Sequence, residues 1–200
     1  MLEGFVLQNA LLLNEFPDGV STFKDLEVFA DTGVVLSALG LEGPARETAT
    51  TELIRLLAET GATLSVFQGT IDEVRSILNT LEGKFAPGAD KTKLRPSDLT
   101  RHLMNIRAKS SDIHMMASML EVSVRGLGFN IRDFPEHNPK WTMSEGQLGK
   151  KLTGAGSETD PRVVHDVACV GGVITYRRGK TSKTLDDAKA VFLTTSGFVV

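Results

Sequence analysis

The sequence predicts an α/β fold with a mainly parallel sheet flanked by helices and an inserted helical region. Continuous apolar runs typical of buried strands occupy residues 26–30, 62–67 and 190–194. Amphipathic helical stretches occupy residues 48–59 and 71–81. Strand and helix therefore alternate along the chain, which favours parallel strands joined by right-handed crossovers.

Local signals define the helix ends. Gly61 follows the first long helix, where a glycine commonly ends a helix. Thr70 is predicted to cap the helix 71–81, with Glu73 at the capping-box position. Proline at the first helical position, Pro161, opens a later helix. Two helices are expected over 97–108 and 110–126, an irregular segment over 126–140, and methionines filling the core: Met104, Met115, Met116 and Met119.

Length and composition predict one domain. Residues 26–83 and 159–200 form its sheet core, and residues 84–158 form the helical insert. The sequence ends just past an apparent central strand, so we expect either a piece of a longer polypeptide or a last strand that pairs elsewhere. The single cysteine, Cys169, favours a reducing, cytoplasmic compartment. No apolar run is long enough to predict a membrane span.

Basic residues are concentrated in one segment. Residues 84–109 carry two acidic side chains and seven basic ones, and the basic ones include Lys91, Lys93 and Arg95. Residues 1–83, in contrast, carry four basic and thirteen acidic side chains. This distribution indicates a phosphate-collecting surface beside an acidic half. A solvated basic loop and helix is the alternative interpretation.

Three acidic residues are candidates for a metal site. Asp31 directly follows the first predicted strand, Glu73 lies in the first turn after the second, and Asp166 lies on the helix before the third. Parallel sheets place ligand sites beyond the carboxyl ends of their strands. Converging carboxylates favour a bound cation, and oxygen ligands favour Mg²⁺ or Mn²⁺. Such an ion suits phosphodiester hydrolysis.

Four segments resemble the motifs of the PIN-like nuclease domain family, in family order. They are residues 28–39 (VFADTGVVLSAL), 70–74 (TIDEV), 164–168 (VHDVA) and 192–196 (FLTTS). Each motif is short, but their order and strand context make the set moderately specific. The resemblance covers residues 26–200 and implies a three-layer fold.

The resemblance implies a metal-dependent nuclease, and we expect RNA to be favoured over DNA as its substrate. Asp31, Glu73 and Asp166 would hold Mg²⁺ or Mn²⁺ and activate water. Thr32 and Ser196 would offer hydroxyls to the metal or the scissile phosphate. Basic side chains would contact the substrate backbone: Arg177, Arg178, Lys91, Lys93 and Arg95. The expected partners are nucleic acid, with single-stranded RNA favoured, and either a second copy of the chain or further domains of a longer chain, with no membrane.

The chain departs from this family pattern at Gly33, where asparagine is usual, and at Ser196, where an acid is commonest. The gap between Glu73 and Asp166 is also long. These departures leave open a catalytically inactive PIN-like module that binds RNA or a protein partner. A toxin of a toxin–antitoxin pair is disfavoured by the long insert. The spacing of acids around Gly33 disfavours a haloacid dehalogenase-like loop, and glycine-rich phosphate loops are absent from the sequence.

Each candidate also has a structural interpretation. Asp31 and Glu73 are suited to helix capping, and Asp166 is suited to a solvated helix face. His165 is expected to be an ordinary helix residue rather than a ligand. Trp141 is expected to anchor the segment 127–143, with stacking on a base as the alternative.

Overall fold

The computed structural model describes residues 23–136, 138–141, 146–149, 161–185 and 187–195. The strands are β1 Glu27–Ala30, β2 Thr63–Phe67, β3 Asn130–Arg132 and β4 Ala190–Leu193. The helices are α1 Thr32–Ala38, α2 Pro44–Glu59, α3 Gln68–Lys84, α4 Asp98–Asn105, α5 Ser110–Ser118, α6 Leu120–Gly126 and α7 Pro161–Tyr176. A 3-10 helix, Lys91–Lys93, precedes α4, and residues 146–149 are also helical.

The four strands form one sheet in the order β3-β2-β1-β4, and every neighbouring pair is parallel. This arrangement confirms the predicted α/β fold class. The prediction of an irregular segment over 126–140 is wrong, because this segment contributes the edge strand β3. The region between α3 and α7 therefore adds a strand to the sheet as well as helices.

Alternating side chains on the strands build two apolar layers. One face of β1 and β2 presents Val28, Ala30, Leu64 and Val66, which pack in the larger core with residues of α1 to α6. The opposite face presents Phe29 and Phe67, which pack with Cys169 and Val173 of α7. Since successive strand residues point to opposite faces, the sheet lies between two helical layers.

Aromatic rings pack between α7 and the sheet. Phe29 stacks on Phe67 at 4.3 Å between ring centroids, and Phe67 stacks on Phe134 at 4.5 Å. The ring of Tyr176, at the end of α7, meets Phe29 at 4.8 Å in a tilted geometry. Aromatic pairs at such distances add to the stability gained from burial.

Several local predictions need correction. Helix α3 begins at Gln68 and Thr70 does not cap it, since its N-cap is Phe67 without a side-chain bond. The predicted helix 110–126 is divided into α5 and α6 at Met119. Met104, Met115 and Met119 are about half exposed or more and do not fill the core. Gly61 follows the C-terminal end of α2 as predicted, with a φ of +90° that glycine adopts readily.

Within the described ranges, none of the helices combines the length and apolar character needed to cross a membrane.

Candidate functional site

The carboxyl ends of β1, β2 and β4 lie at one edge of the sheet because the strands are parallel. Asp31 directly follows β1 and is only 5% exposed. Its Oδ1 accepts a hydrogen bond from the Thr32 backbone N–H at 2.6 Å, which caps α1. Its Oδ2 accepts a hydrogen bond from the Thr194 hydroxyl at 2.7 Å. The structure therefore fixes this carboxylate at the sheet edge, so Asp31 both caps a helix and lines the site.

Glu73 reaches the same edge from the second turn of α3. The Thr32 hydroxyl donates a short hydrogen bond to Oε2 of Glu73. This bond joins the residue after Asp31 to the helix that follows β2. Within the described residues, no lysine or arginine forms an ion pair with Asp31 or Glu73. Two partly or fully buried carboxylates thus lie on either side of Thr32, and no described lysine or arginine neutralises them.

His165 of α7 is the site residue that the sequence interpretation missed. Its Nε2 lies 3.4 Å from Oε2 of Glu73, and the His165 side chain is 11% exposed. The same nitrogen lies 3.3 Å from Oγ1 of Thr70 and 3.3 Å from Sγ of Cys169. The signal in the sequence was a histidine immediately before Asp166 and one helical turn before Cys169, on an otherwise apolar helix.

The buried thiol of Cys169 contacts Thr70 and His165. Burial raises its pKa to about 12, with smaller contributions in the same direction from the negative charges of Asp31, Asp166 and Glu73. A hydrogen bond from Thr70 acts in the opposite direction. Asp166 lies three residues before Cys169 on α7. Asp166 itself is half-buried.

The donor atoms at this edge suit a hard cation. The three carboxylates and the hydroxyls of Thr32 and Thr194 are all oxygen ligands, which Mg²⁺ and Mn²⁺ prefer. Among the residues the structure describes, no three His, Cys, Asp or Glu side chains are already close enough to coordinate one ion. Glu73 is turned towards Thr32, and Asp31 is turned towards Thr194. The residue types therefore fit such an ion, and the hydroxyl partners hold the carboxylates in their present orientations.

Gly33 lies in close contact with the end of β4. A Cβ atom added at Gly33 would overlap Oγ1 of Thr195. The hydroxyl of Thr195 therefore occupies the space that a side chain at position 33 would need. Thr194 binds Asp31, so β4 supplies the contact that orients this carboxylate. Ser196, the other hydroxyl expected here, lies outside the described residues.

The predicted basic residues lie elsewhere. Arg177 and Arg178 follow the C-terminal end of α7, about 16 Å along the helix axis from Asp166. Lys91 and Arg95 are exposed between α3 and α4, where the ammonium of Lys91 lies 4.9 Å from the centre of the Phe85 ring. Lys93 belongs to the same 3-10 helix, and its side chain lies outside the described part. None of these side chains has a described contact with Asp31 or Glu73.

No family model matches the chain, and comparisons with curated proteins and with solved structures find no significant match.

Proposed function

We propose that this chain is a Mg²⁺- or Mn²⁺-dependent nuclease that hydrolyses phosphodiester bonds, with single-stranded RNA favoured over DNA, in a cytoplasmic, reducing compartment. The observation that carries the proposal is the buried carboxylate of Asp31 at the carboxyl edge of a parallel sheet, joined to Glu73 through Thr32. The PIN-like resemblance of the four motifs supports the same activity.

Burial of Asp31 favours cation binding. A carboxylate that is 5% exposed and has no described basic partner is stabilised when a cation neutralises its charge. Glu73 and Asp166 would complete the ligand set after exchanging their present partners for the ion. When bound, the ion would lower the pKa of a coordinated water and stabilise the departing oxygen.

The remaining residues orient this set. Thr194 and the Thr32 backbone hold the two oxygens of Asp31, and the Thr32 hydroxyl holds Glu73. His165 contacts Glu73 from α7 and restricts its position. The exposed basic side chains of Lys91 and Arg95, at a distance from this edge, are suited to holding the phosphates of a longer strand.

The test is cleavage of labelled single-stranded RNA and DNA oligonucleotides with Mn²⁺, Mg²⁺ or EDTA. Wild type is compared with Asp31→Asn, which keeps an N-cap residue of equal quality. Asp72→Asn is the matched control, since Asp72 is an exposed acid beside Glu73 that pairs with Arg75. We expect metal-dependent cleavage by wild type and by Asp72→Asn, and a decrease of about 100-fold or more in Asp31→Asn.

Two results would overturn the proposal. One is metal-dependent cleavage that persists unchanged in Asp31→Asn. The other is a folded wild-type protein that cleaves neither substrate with either ion, which would favour the inactive module that binds RNA or a protein.

A further inference from the structure

A cavity of about 440 Å³ lies at the C-terminal end of α7, away from the carboxylates. Its walls include the aromatic side chains of Trp141 and Tyr176, the ring of Pro135, and the polar residues Glu136, Asn138 and Arg178. Ligand pockets in proteins have volumes of roughly 300–1,000 Å³, with apolar walls and a few polar groups that fix orientation. The cavity therefore has the size and lining of a small-molecule site.

The Tyr176 ring and the backbone of the Trp141 turn are held by the surrounding structure. Tyr176 packs its ring against Phe29 of β1. Trp141 ends a turn in which its backbone N–H donates to the Asn138 carbonyl at 2.9 Å. In the same turn the Lys140 backbone N–H donates to Oδ1 of Asn138 at 3.0 Å. Trp141 nevertheless remains 38% exposed. An exposed indole that lines the same cavity as a second aromatic ring is suited to stacking on a planar ligand.

The backbone after α7 lies beside the Trp141 turn and brings Arg178 to the same cavity. Arg178 has a φ of +52°, which is uncommon for a residue with a side chain. Gly179 follows with a φ of +68°, and a Cβ there would lie 3.2 Å from the carbonyl oxygen of Trp141. This close approach packs the Trp141 turn against the end of α7.

The two charged residues of the lining, Glu136 and Arg178, match the hydrogen-bonding groups of some planar ligands better than those of others. The carboxylate of Glu136 accepts hydrogen bonds only, and the guanidinium of Arg178 donates only. Guanine is the nucleobase that presents two adjacent N–H donors on its Watson–Crick edge, which match the two oxygens of one carboxylate. Arg178 complements a phosphate or the guanine O6. Unpaired bases are commonly recognised by such a combination of stacking and edge hydrogen bonds.

We propose that this cavity binds a single guanine base, stacked against Trp141 and Tyr176 with its Watson–Crick edge at Glu136. The site is separate from the carboxylate edge and does not depend on cleavage activity.

Trp141 is the single tryptophan of the chain, so its fluorescence reports directly on the cavity. The experiment titrates the full chain in EDTA with GMP, AMP, UMP and CMP, and with single-stranded pentauridylate with or without one central guanine. We expect saturable quenching by guanine-bearing probes, with an affinity about tenfold or more above that for AMP. If the guanine-containing oligonucleotide binds more tightly than GMP, the ligand of the cavity is a guanine within a strand. If GMP binds more tightly, the ligand is a free nucleotide.

Two variants separate recognition from folding. Glu136→Gln keeps the size of an exposed side chain, and we expect it to lose the preference for guanine while other bases bind as before. Glu59→Gln changes an exposed glutamate of α2 in the same way and is expected to bind like wild type. The proposal is overturned by the absence of saturable quenching, by equal quenching with GMP and AMP, or by an unchanged preference in Glu136→Gln. Because EDTA removes the ion, these results do not bear on the proposed nuclease activity.

Discussion

The Thr194 hydroxyl donates a hydrogen bond of 2.7 Å to Oδ2 of Asp31, and this bond links the ends of the adjacent strands β4 and β1. The Asp31 N–H also donates to the Leu193 carbonyl at 2.9 Å, which extends the parallel ladder to the site. The orientation of the buried carboxylate is therefore set by the end of β4, although Thr194 lies 163 residues away from Asp31 along the chain.

The first prediction follows from this bond. Thr194→Val keeps the shape of the side chain but removes the donor, so the hydroxyl no longer orients Asp31. We expect metal-dependent cleavage to fall by roughly 10–100-fold, the usual effect of removing a partner of a metal ligand. Measurement of kcat and of the Mn²⁺ concentration for half-maximal activity would show it.

Thr194→Ser restores the hydroxyl and is expected to recover most of the activity. Thr80→Val, on the exposed face of α3, is the control for exchanging a threonine elsewhere. Equal activity in Thr194→Val and wild type would show that the bond does not orient a functional carboxylate.

The second prediction concerns Gly33 and Thr195. An added Cβ at Gly33 overlaps the Thr195 hydroxyl, so Gly33→Ala is expected to destabilise the fold by about 1–3 kcal/mol. Thr195→Ala removes that hydroxyl. In this background Gly33→Ala is expected to be neutral or to stabilise by about 0.5–1 kcal/mol, because alanine favours helix over glycine.

Urea unfolding of the two single variants and the double variant gives the coupling free energy between the positions. Additive effects would contradict the close contact of Gly33 with Thr195. A third variant, Gly83→Ala, gives the effect of the same exchange in α3, where the added Cβ has no neighbour within 4 Å.

The sequence predicts the positions of Asp31 and Glu73 because each follows a continuous apolar strand, and parallel strands end at one edge. It does not predict β3, whose three residues Asn130–Arg132 have no apolar run and are mostly exposed. These residues form a strand because they pair with the buried strand β2, and not because their own sequence favours one.

The roles of Thr70 and His165 depend on the same kind of long-range contact. Thr70 has the sequence signature of a helix cap, but its hydroxyl is buried against α7, where it meets His165 from 95 residues away along the chain. A local motif describes neighbours in sequence and contains no information on how α7 packs over the sheet. For this reason His165, which contacts Glu73, could not be assigned to the site from its own segment.

The third prediction concerns the basic segment between α3 and α4. Replacing Lys91, Lys93 and Arg95 together by alanine is expected to weaken binding of single-stranded RNA and to lower the dependence of affinity on salt. The slope of log affinity against log salt should fall by about 0.7 for each phosphate that the protein no longer neutralises. Fluorescence anisotropy at several salt concentrations, with EDTA present, measures both effects.

A matched control removes three exposed cations from other parts of the surface: Lys24, Arg55 and Lys189. Lys24 and Lys189 precede β1 and β4, so they lie at the opposite edge of the sheet from Asp31. The control changes the net charge equally and is expected to retain the wild-type slope more closely. Identical slopes for the two triple variants would assign the effect to net charge rather than to this segment.

The fourth prediction concerns the stability of the fold at alkaline pH. Burial raises the pKa of Cys169 from 9.0 to about 12, so the folded state keeps the thiol protonated while the unfolded state loses the proton above pH 9. The unfolded state then binds fewer protons, and the free energy of unfolding falls as pH rises. The contribution is fully present below pH 9 and is lost between pH 9 and 12, at up to about 1.4 kcal/mol per pH unit.

Cys169→Ala lacks this titration, so its free energy of unfolding is expected to fall less steeply above pH 9 than that of wild type. Urea unfolding of both proteins at a series of pH values gives the difference, in which the titrations of lysine and tyrosine common to both largely cancel. Parallel curves for the two proteins above pH 9 would mean that the thiol ionises as readily in the folded state as in the unfolded state, which is incompatible with its burial between α7 and the sheet.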